Sequence, residues 1–418
     1  MAKKKREILT GVEIGTSAIK VVMGEFLPDD VISIVGVGKV PSMKVVKGEI
    51  VDVNVVQEQL EMALAKAEEA SGLEIDEIFL AVTGAHIQSV NSVGSTMVTS
   101  PDSRIGEDDI VTAHRNAHAY HLPPDKKVLH YLDRCYQVDG GNEITNPLGL
   151  VGAKLEADVQ IIYGQHNRLE TNCRMINDAM TYPAEDIAFS GIAAALATFS
   201  SEDTEKGGLL LDIGAGVTEY VVLQGPGCFH SGQLTVGCEH IANDLSLGLR
   251  LPINKCRKIL HDLDQFGSAV MTPDGHSRLM AVERLAQSPR HIPISTVEHI
   301  VELRLRELFE TIRMDLEANN ALERIGCGIR ICGGGAHIPG IDRLVRQVFQ
   351  MPASIAKPRL LSGKQKMLNS PEFLTPVGLI RWGKMMLDIS PKSNTSFWES
   401  FYLDLRKAGT VLCKSFPW

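Results

Sequence analysis

Two short stretches of this chain are written on one template, and nothing else in the sequence limits its fold so strongly. The first is Gly11-Val12-Glu13-Ile14-Gly15-Thr16-Ser17-Ala18-Ile19-Lys20-Val21-Val22, and the second is Leu210-Leu211-Asp212-Ile213-Gly214-Ala215-Gly216-Val217-Thr218-Glu219-Tyr220-Val221. Each reads as a strand carrying a carboxylate, then Ile-Gly, a turn of small residues and a returning strand. The apolar, β-branched flanks favour extended backbone, and the glycines supply the conformations a tight hairpin needs. Small residues at such a turn also let backbone N–H groups close on an anion. Two acidic hairpins about half a chain apart therefore predict two related domains gripping one phosphorylated ligand and its metal ion.

One hairpin alone carries little, because glycine-containing hairpins are common and most bind nothing. The ungapped match between the two changes that. So does a third element, Ile329-Arg330-Ile331-Cys332-Gly333-Gly334-Gly335-Ala336-His337-Ile338-Pro339-Gly340. It reads as a buried strand entering a glycine triplet and then a helix start, a suitable place for a nucleoside. Together the three resemble the phosphate-1, phosphate-2 and adenosine motifs of the superfamily of actin, the sugar kinases and the heat-shock-chaperone ATPases. The fold class this implies is α/β, in two lobes with a nucleotide between them.

At 418 residues the chain has room for several subdomains, each with its own core. Its net charge of −9 argues against a general nucleic-acid binder. The cysteines are scattered without a Cys-x-x-Cys pair, the pattern of reduced thiols in a cytoplasmic protein rather than of a disulfide framework or zinc site. The basic start Met1-Ala2-Lys3-Lys4-Lys5-Arg6 runs straight into Glu7, with no apolar signal-peptide region. The longest nearly apolar run, Ile187 to Phe199, is too short to span a bilayer. The expectation is a cytoplasmic protein whose membrane contact, if any, is peripheral.

Residues 7–84 alternate strands with an Ala/Glu/Leu-rich helix over Val53–Ser71 and a buried strand over Ile78–Val82, as an α/β domain does. Residues 85–164 turn polar and read as an insert, with a helix over Glu107–Tyr120 and strands near Val128–Val138 and Leu155–Ile162. A helix over 167–180, a strand over 185–189 and a helix over 191–199 return to the first domain. The second domain opens at Gly207 and continues with helices over Glu239–Leu249 and Asn254–Leu263. A loop-rich stretch over 265–293 follows, then a long helix over Ser295–Ala321 with Ser295 and Thr296 as caps. Arg343–Phe349 and Thr375–Gly383 read as helices, the latter crossing back into the first domain. In the insert, His114, His118 and His121 fall at i, i+4, i+7 and could hold zinc. With no Cys or carboxylate at a fixed spacing, a solvated helix face is the plainer reading.

Residues 387–396 read as a linker. Beyond it, Trp398, Phe401, Tyr402, Leu405, Gly409, Leu412, Cys413 and Phe416 make one helical face, with Arg406, Lys407 and Lys414 off it. Such a helix either docks on the body of the protein or lies on a membrane. The linker, the terminal position and the clustered aromatics favour the membrane.

Residues 7–418 as a whole resemble the FtsA family, the bacterial actin-like cell-division proteins that link the FtsZ ring to the membrane. Thr83-Gly84-Ala85-His86-Ile87 matches the family's strand exit into its inserted subdomain, called 1C, and Asn146-Pro147-Leu148-Gly149-Leu150 lies inside that insert. The terminal helix is similar to the family's membrane-targeting sequence. The resemblance implies subdomain 1A at 7–84, 165–205 and 365–386, 1C at 85–164, 2A at 206–240 and 312–364, and 2B at 241–311. The linker and a membrane-targeting amphipathic helix at 397–418 complete the chain. It further implies ATP and Mg²⁺ between the lobes, self-assembly into filaments, the FtsZ C-terminal peptide bound by 2B, and other division proteins as partners. The Arg-rich run from Arg284 to Arg306 suits an acidic peptide, although such runs are usually plain solvated helix. The place implied is the cytoplasmic face of the inner membrane at the division site.

Carried over by position, Gly15, Thr16, Ser17 and Lys20 would meet the phosphates from one side, and Gly214, Ala215, Gly216 and Thr218 from the other. Asp212 would hold Mg²⁺ through water, with Glu13 as its counterpart, since magnesium keeps several waters and needs few carboxylates. Gly333, Gly334 and Gly335 would pack under the adenosine. Arg257 and Lys258 would contact the base or ribose, or else form a solvated helix face. Trp398, Phe401, Tyr402, Leu405, Arg406, Lys407, Leu412 and Phe416 would meet lipid. Departures from active relatives matter: Glu13 replaces an Asp, Ala215 a Gly, and Thr218-Glu219 stands where Thr-x-Asp is usual. Ser190 stands at about the place of a Glu or Gln that helps position the attacking water. Without such a group, electrostatic clamping alone leaves hydrolysis slow. Binding is expected, brisk turnover is not. The rival readings are PilM, a pilus-assembly relative with a similar insert, and a small-molecule kinase of the same superfamily, which would need a catalytic Asp in the cleft.

Overall fold

Each hairpin seeds a sheet. In the computed structural model, which describes residues 7–180, 183–225, 227–263, 279–285, 288–363 and 369–388, β1 (Leu9–Ile14) pairs antiparallel with β2 (Ala18–Phe26), and β3 (Ile32–Pro41) extends them. A small hairpin of β4 (Val45–Val46) and β5 (Glu49–Ile50) leads to α1 (Val53–Ser71). The Asp52 carboxylate caps α1 by accepting from the Val55 amide, and left-handed Gly72 ends it. β6 (Glu77–Val82) then lies parallel to β1. The insert consists of β7 (Gln88–Met97), α2 (Glu107–His118), β8 (Lys126–Val138) and β9 (Lys154–Gln165), its sheet ordered β7-β9-β8. α3 (His166–Ala179), β10 (Asp186–Phe189) and α4 (Ser190–Thr198) return to the first lobe, and α5 (Ser201–Lys206) leads out of it.

The second lobe repeats the plan with β11 (Gly208–Ile213), β12 (Thr218–Gln224) and β13 (Gly227–Leu234). Then come α6 (Cys238–Leu249), α7 (Ile253–His261), β14 (Leu279–Leu285), β15 (Ser288–Pro293) and α8 (Ile294–Ala318). β16 (Ile329–Cys332), α9 (Ile341–Phe349) and β17 (Ala353–Ile355) complete its sheet, while β18 (Leu361–Ser362) and α10 (Leu374–Asp388) rejoin the first lobe. The sheets run β10-β6-β1-β2-β3-β18 and β13-β12-β11-β16-β17. In both, the hairpin's first strand is parallel to its inner neighbour, so β1, β6, β10, β11 and β16 all end on the same side. Ligands of α/β sheets bind at those carboxyl ends.

Separate cores hold the lobes, one around Val12, Phe79 and Phe189 and one around Leu211, Phe309 and Ile331, with two small satellites inside the insert. α10 crosses α4 at backbone contact: a Cβ added to Gly378 would fall 1.7 Å from the Ala193 carbonyl oxygen. Cys135, Cys173, Cys228, Cys238, Cys256, Cys327 and Cys332 are not joined in disulfides. No helix among the described residues is long and apolar enough to cross a membrane.

Several expectations need correcting. The stretch 265–293 is not all loop, since β14 and β15 pair within it. β7 was not foreseen. α8 starts at Ile294 after Pro293, so Ser295 and Thr296 do not cap it. His114 is not solvated: it is 4% exposed, pairs through Nε2 with the Tyr136 hydroxyl at 2.7 Å, and lies 3.6 Å from Asp133. His118 packs against the Tyr131 ring, leaving His121 as the exposed member. Among the described residues no cluster of side chains could hold a zinc ion. α10 continues to Asp388. The rest of the expected linker and the helix from Trp398 to Phe416 lie outside the described residues.

Candidate functional site

A cavity of about 1010 Å³ opens between the lobes. The two hairpin turns form its facing walls, and each is closed by the same bond: the Gly15 amide donates to the Ala18 carbonyl at 3.1 Å, and the Gly214 amide to the Val217 carbonyl at 2.9 Å. The turns meet, because a Cβ on Gly216 would lie 2.6 Å from the Thr16 hydroxyl oxygen. Behind the second turn α6 begins, its Cys238 and Glu239 amides donating to the Gly214 and Ala215 carbonyls. Gly333 and Gly334 form part of the lining where β16 ends. Gly333 has φ +78°, and a Cβ there would sit 2.3 Å from Asp212 Oδ1. Two small-residue turns and the glycine end of β16 thus surround one open space, a setting that suits a phosphate chain.

The charges are unequal on the two walls. Lys20 donates to both Glu13 carboxylate oxygens at 3.0 Å and to the Glu372 carbonyl at 2.8 Å, so its three protons are engaged. Burial works against the Lys20 charge, but the Glu13 carboxylate outweighs it and holds the ammonium above its ordinary pKa. Asp212 has no such cation bonded to it. Its partners among the described residues are the Thr375 hydroxyl at 3.1 Å and the Cys332 thiol. Burial pushes its carboxyl upward, against the pull of the Lys20 charge. A half-buried carboxylate with no cation bonded to it among the described residues fits a hard cation. Glu219 stands beside it, accepting from Ser190 Oγ at 2.7 and 2.5 Å and from the Thr83 hydroxyl. Burial, then the Asp212 charge, pushes its pKa up to about 8.

Gly15, Thr16, Ser17, Lys20, Gly214, Ala215, Gly216, Arg257, Gly333, Gly334, Glu13 and Asp212 all line this one cavity. Three expected residues do not. Thr218 is fully buried and its hydroxyl donates to the Val236 carbonyl. Gly335 is packed on Ile213, and Lys258 is exposed on the outer side of α7. Arg257 reaches the cavity in the grip of Glu239, which accepts from Nε at 2.9 Å and from a terminal nitrogen at 2.7 Å. Thr83, Glu219, Glu239 and Glu372 were missed as site residues. The repeat held a signal for one of them, since Glu219 occupies in the second hairpin the register place of Lys20 in the first.

A family model described as the SHS2 domain inserted in FtsA matches residues 84–163, and one described as cell division protein FtsA matches residues 209–378. Together they span more than half of the chain. The chain belongs to the FtsA family. Its insert is the SHS2 domain of that family, and its family is one of cell-division proteins. Relatives named cell division protein FtsA include that of Borreliella burgdorferi, 27% identical over 90% of both chains, and that of Escherichia coli K12, 26% identical over 91% of both. Among solved structures, a PilM–PilN type IV pilus biogenesis complex aligns at a TM-score of 0.62 and 15% identity, covering 90% of this chain and 99% of that one. MreB5 of Spiroplasma citri bound to ADP aligns at 0.54 and 14%, covering 92% and 98%. Both share the actin-like fold of this FtsA family member.

Proposed function

We propose that this FtsA-family chain is a nucleotide-dependent structural adaptor that binds ATP with Mg²⁺ in the interlobe cavity and turns it over slowly at most. The observation that carries the reading is the meeting of two matched glycine turns across one cavity, with the half-buried Asp212 among its lining residues. Gly15–Ser17 and Gly214–Gly216 would hold the phosphates, Gly333 and Gly334 would underlie the adenosine, and Arg257 would face the base or ribose. Asp212 would hold the magnesium through water. Glu13 is engaged by Lys20, which makes it the anchor of that lysine rather than a second metal ligand. The magnesium supplies charge neutralisation to the phosphates, while the chain orients them and keeps water out. Solved MreB5 structures named as bound to ADP and to AMPPNP lend support through the shared fold.

In this reading the chain forms filaments at the cytoplasmic face of the inner membrane at the division site. Subdomain 2B (241–311) takes the FtsZ C-terminal peptide, 1C contributes to stacking, and the terminal helix meets lipid. Within 2B, Arg304 is paired with Asp244 and Glu307, and Arg306 with Glu302. Those cations are therefore not free to receive an acidic peptide, and the peptide contact rests on the subdomain as a whole. The PilM reading has only a likeness of fold behind it.

Calorimetric titration with ATP, with and without Mg²⁺, tests the core of the reading. Saturable binding at micromolar affinity or tighter, with turnover below about one per second, is expected. Absence of binding, or turnover of several per second, overturns it.

A further inference from the structure

The insert is tied by its chain ends to the first lobe, packs on it where the Phe189 amide of β10 donates to His130 Nε2 of β8 at 2.9 Å, and is also seated on the second lobe. Its strand β8 runs beside β13, the edge strand of the second sheet, and a Cβ on Gly227 would fall 1.9 Å from the Asp133 carbonyl oxygen. Arg134 of β8 donates from Nε to the Phe229 carbonyl at 2.7 Å, and its guanidinium lies 4.3 Å from the centre of the Phe229 ring. Arg324, from the second lobe, lies 4.4 Å from the same ring. Each guanidinium has an acidic partner in the insert, Asp158 for Arg134 and Glu143 for Arg324, the latter at 2.6 Å. Ser89 adds a bond from its hydroxyl to the Ser231 carbonyl at 2.8 Å. Cation–π pairs that are shielded from water and held by ion pairs are among the firmer surface contacts.

The sheet that carries this seam also borders the nucleotide cleft. On β12, Glu219 lines the cleft and the next residue, Tyr220, lines a second cavity of about 450 Å³ behind it. The same division holds for Ser190 and Phe189, while Thr83 and Ala85, two residues apart, also fall on opposite sides. Thr83 and Ser190 of the first lobe are bonded to Glu219 of the second. On the far side, the Tyr220 hydroxyl donates to Asp315 at 2.7 Å, and His230 Nε2 meets the same carboxylate at 2.7 Å. Asp315 thus fastens β12 and β13 together onto α8. At the stem of the insert, Gly84 has φ +116°, a conformation few other residues adopt.

We propose that the Arg134–Phe229–Arg324 contact is a coupling clasp, through which a change of lobe angle at the cleft is passed to the inserted subdomain. The argument is geometric. A body packed on both lobes cannot stay fixed relative to both when the lobes rotate. With the clasp closed, the insert follows β13, and the movement is taken up at the Gly84 stem and at the contact of β8 with β10. Packed interfaces switch between arrangements rather than stretch. The proposal rests on the nucleotide reading above.

Hydrogen exchange on the full chain, with and without Mg²⁺ and ATP, tests it, with the binding isotherm measured on the same samples. Nucleotide is expected to change exchange by at least about threefold at residues 84–88 and in β8. Arg134→Ala is expected to keep ATP affinity within about threefold and to lose the nucleotide-dependent change. Phe229→Leu, which keeps an apolar side chain but removes the ring, serves if the first variant does not fold. Binding without any change at the stem and β8, or a change that survives both variants, overturns the clasp alone. A chain that binds no nucleotide overturns the nucleotide reading and the clasp with it.

Discussion

Lys20 lies directly opposite Glu13 across the first hairpin and donates to both of its carboxylate oxygens at 3.0 Å. The matching place opposite Asp212 in the second hairpin is taken by Glu219. One template thus produces a neutralised acid on one wall and two acids on the other. The carboxylate without a bonded lysine, Asp212, lies on the second hairpin, and a divalent cation would be drawn there.

Glu13 and Asp212 should therefore fail in different ways. Asp212→Asn is expected to weaken the Mg²⁺-dependent part of ATP binding by at least about tenfold, or ~1.4 kcal/mol, with little loss of stability. Glu13→Gln would leave the buried Lys20 ammonium without its anion and cost about 3 kcal/mol of folding stability. Titration with ATP across Mg²⁺ concentrations, together with urea unfolding, separates the two. Equal effects of both variants on the metal dependence would remove the asymmetry.

Glu219 makes a prediction about pH. Its folded pKa of about 8 lies above the ordinary value of 4.5, so between these values the folded chain holds a proton that the unfolded chain has released. Stability from this group therefore falls as pH rises through that window, and the loss is complete above about pH 8. Glu219→Gln is neutral throughout and still bonds Ser190 and Thr83. Between pH 6 and pH 9, the nucleotide-free parent should lose about 2–3 kcal/mol more than this variant. Parallel unfolding curves for the two chains across that range would refute the assignment.

Two glycines test packing against function. A Cβ on Gly378 would strike the Ala193 carbonyl of α4, a backbone atom that cannot swing aside. Gly378→Ala should cost about 2–4 kcal/mol, because α10 and α4 must move apart. Nothing lies within 4 Å of a Cβ on Gly334, which lines the cleft. Gly334→Ala should leave the urea midpoint where it is and weaken ATP binding instead. The reverse pattern would mean that Gly334 is a packing residue.

The strand–turn–strand units could be read from sequence because local rules and tertiary structure agree there: apolar strands, glycine turns and buried parallel neighbours all point the same way. β7 escaped because it offers no apolar run. Gly94 is its only buried residue, and Val93 and Met97 face outward. β15 escaped because Pro289 and Pro293 read as breakers. In a two-stranded ladder every strand is an edge, where proline is tolerated. His114 was misjudged because nothing local announces that α2 packs on the insert's sheet. The Glu219 site needed both lobes in view: its partners Thr83 and Ser190 are 136 and 29 residues away. The seat of the insert on β13 likewise joins residues far apart in the chain, Arg134 and Phe229 by 95 positions and Ser89 and Ser231 by 142.

The terminal helix gives the last prediction. Residues 397–416, outside the described part of the chain, would lay Trp398, Phe401, Tyr402, Leu405, Leu412 and Phe416 into the acyl boundary if helical. Partial burial of these large side chains contributes on the order of 5–10 kcal/mol before helix ordering is subtracted. Arg406, Lys407 and Lys414 add up to about 1 kcal/mol each near anionic lipid. One tail should then bind weakly and reversibly, while a filament carrying many tails binds firmly through effective concentration. Flotation on anionic liposomes decides the matter, comparing the full chain with Trp398→Glu/Phe401→Glu and with a chain ending at Asn394. The full chain should float, more so with Mg²⁺ and ATP, and the other two should stay with the soluble fraction. Equal flotation of all three would mean that the tail docks on the body of the protein, and the tethering role would fall with it.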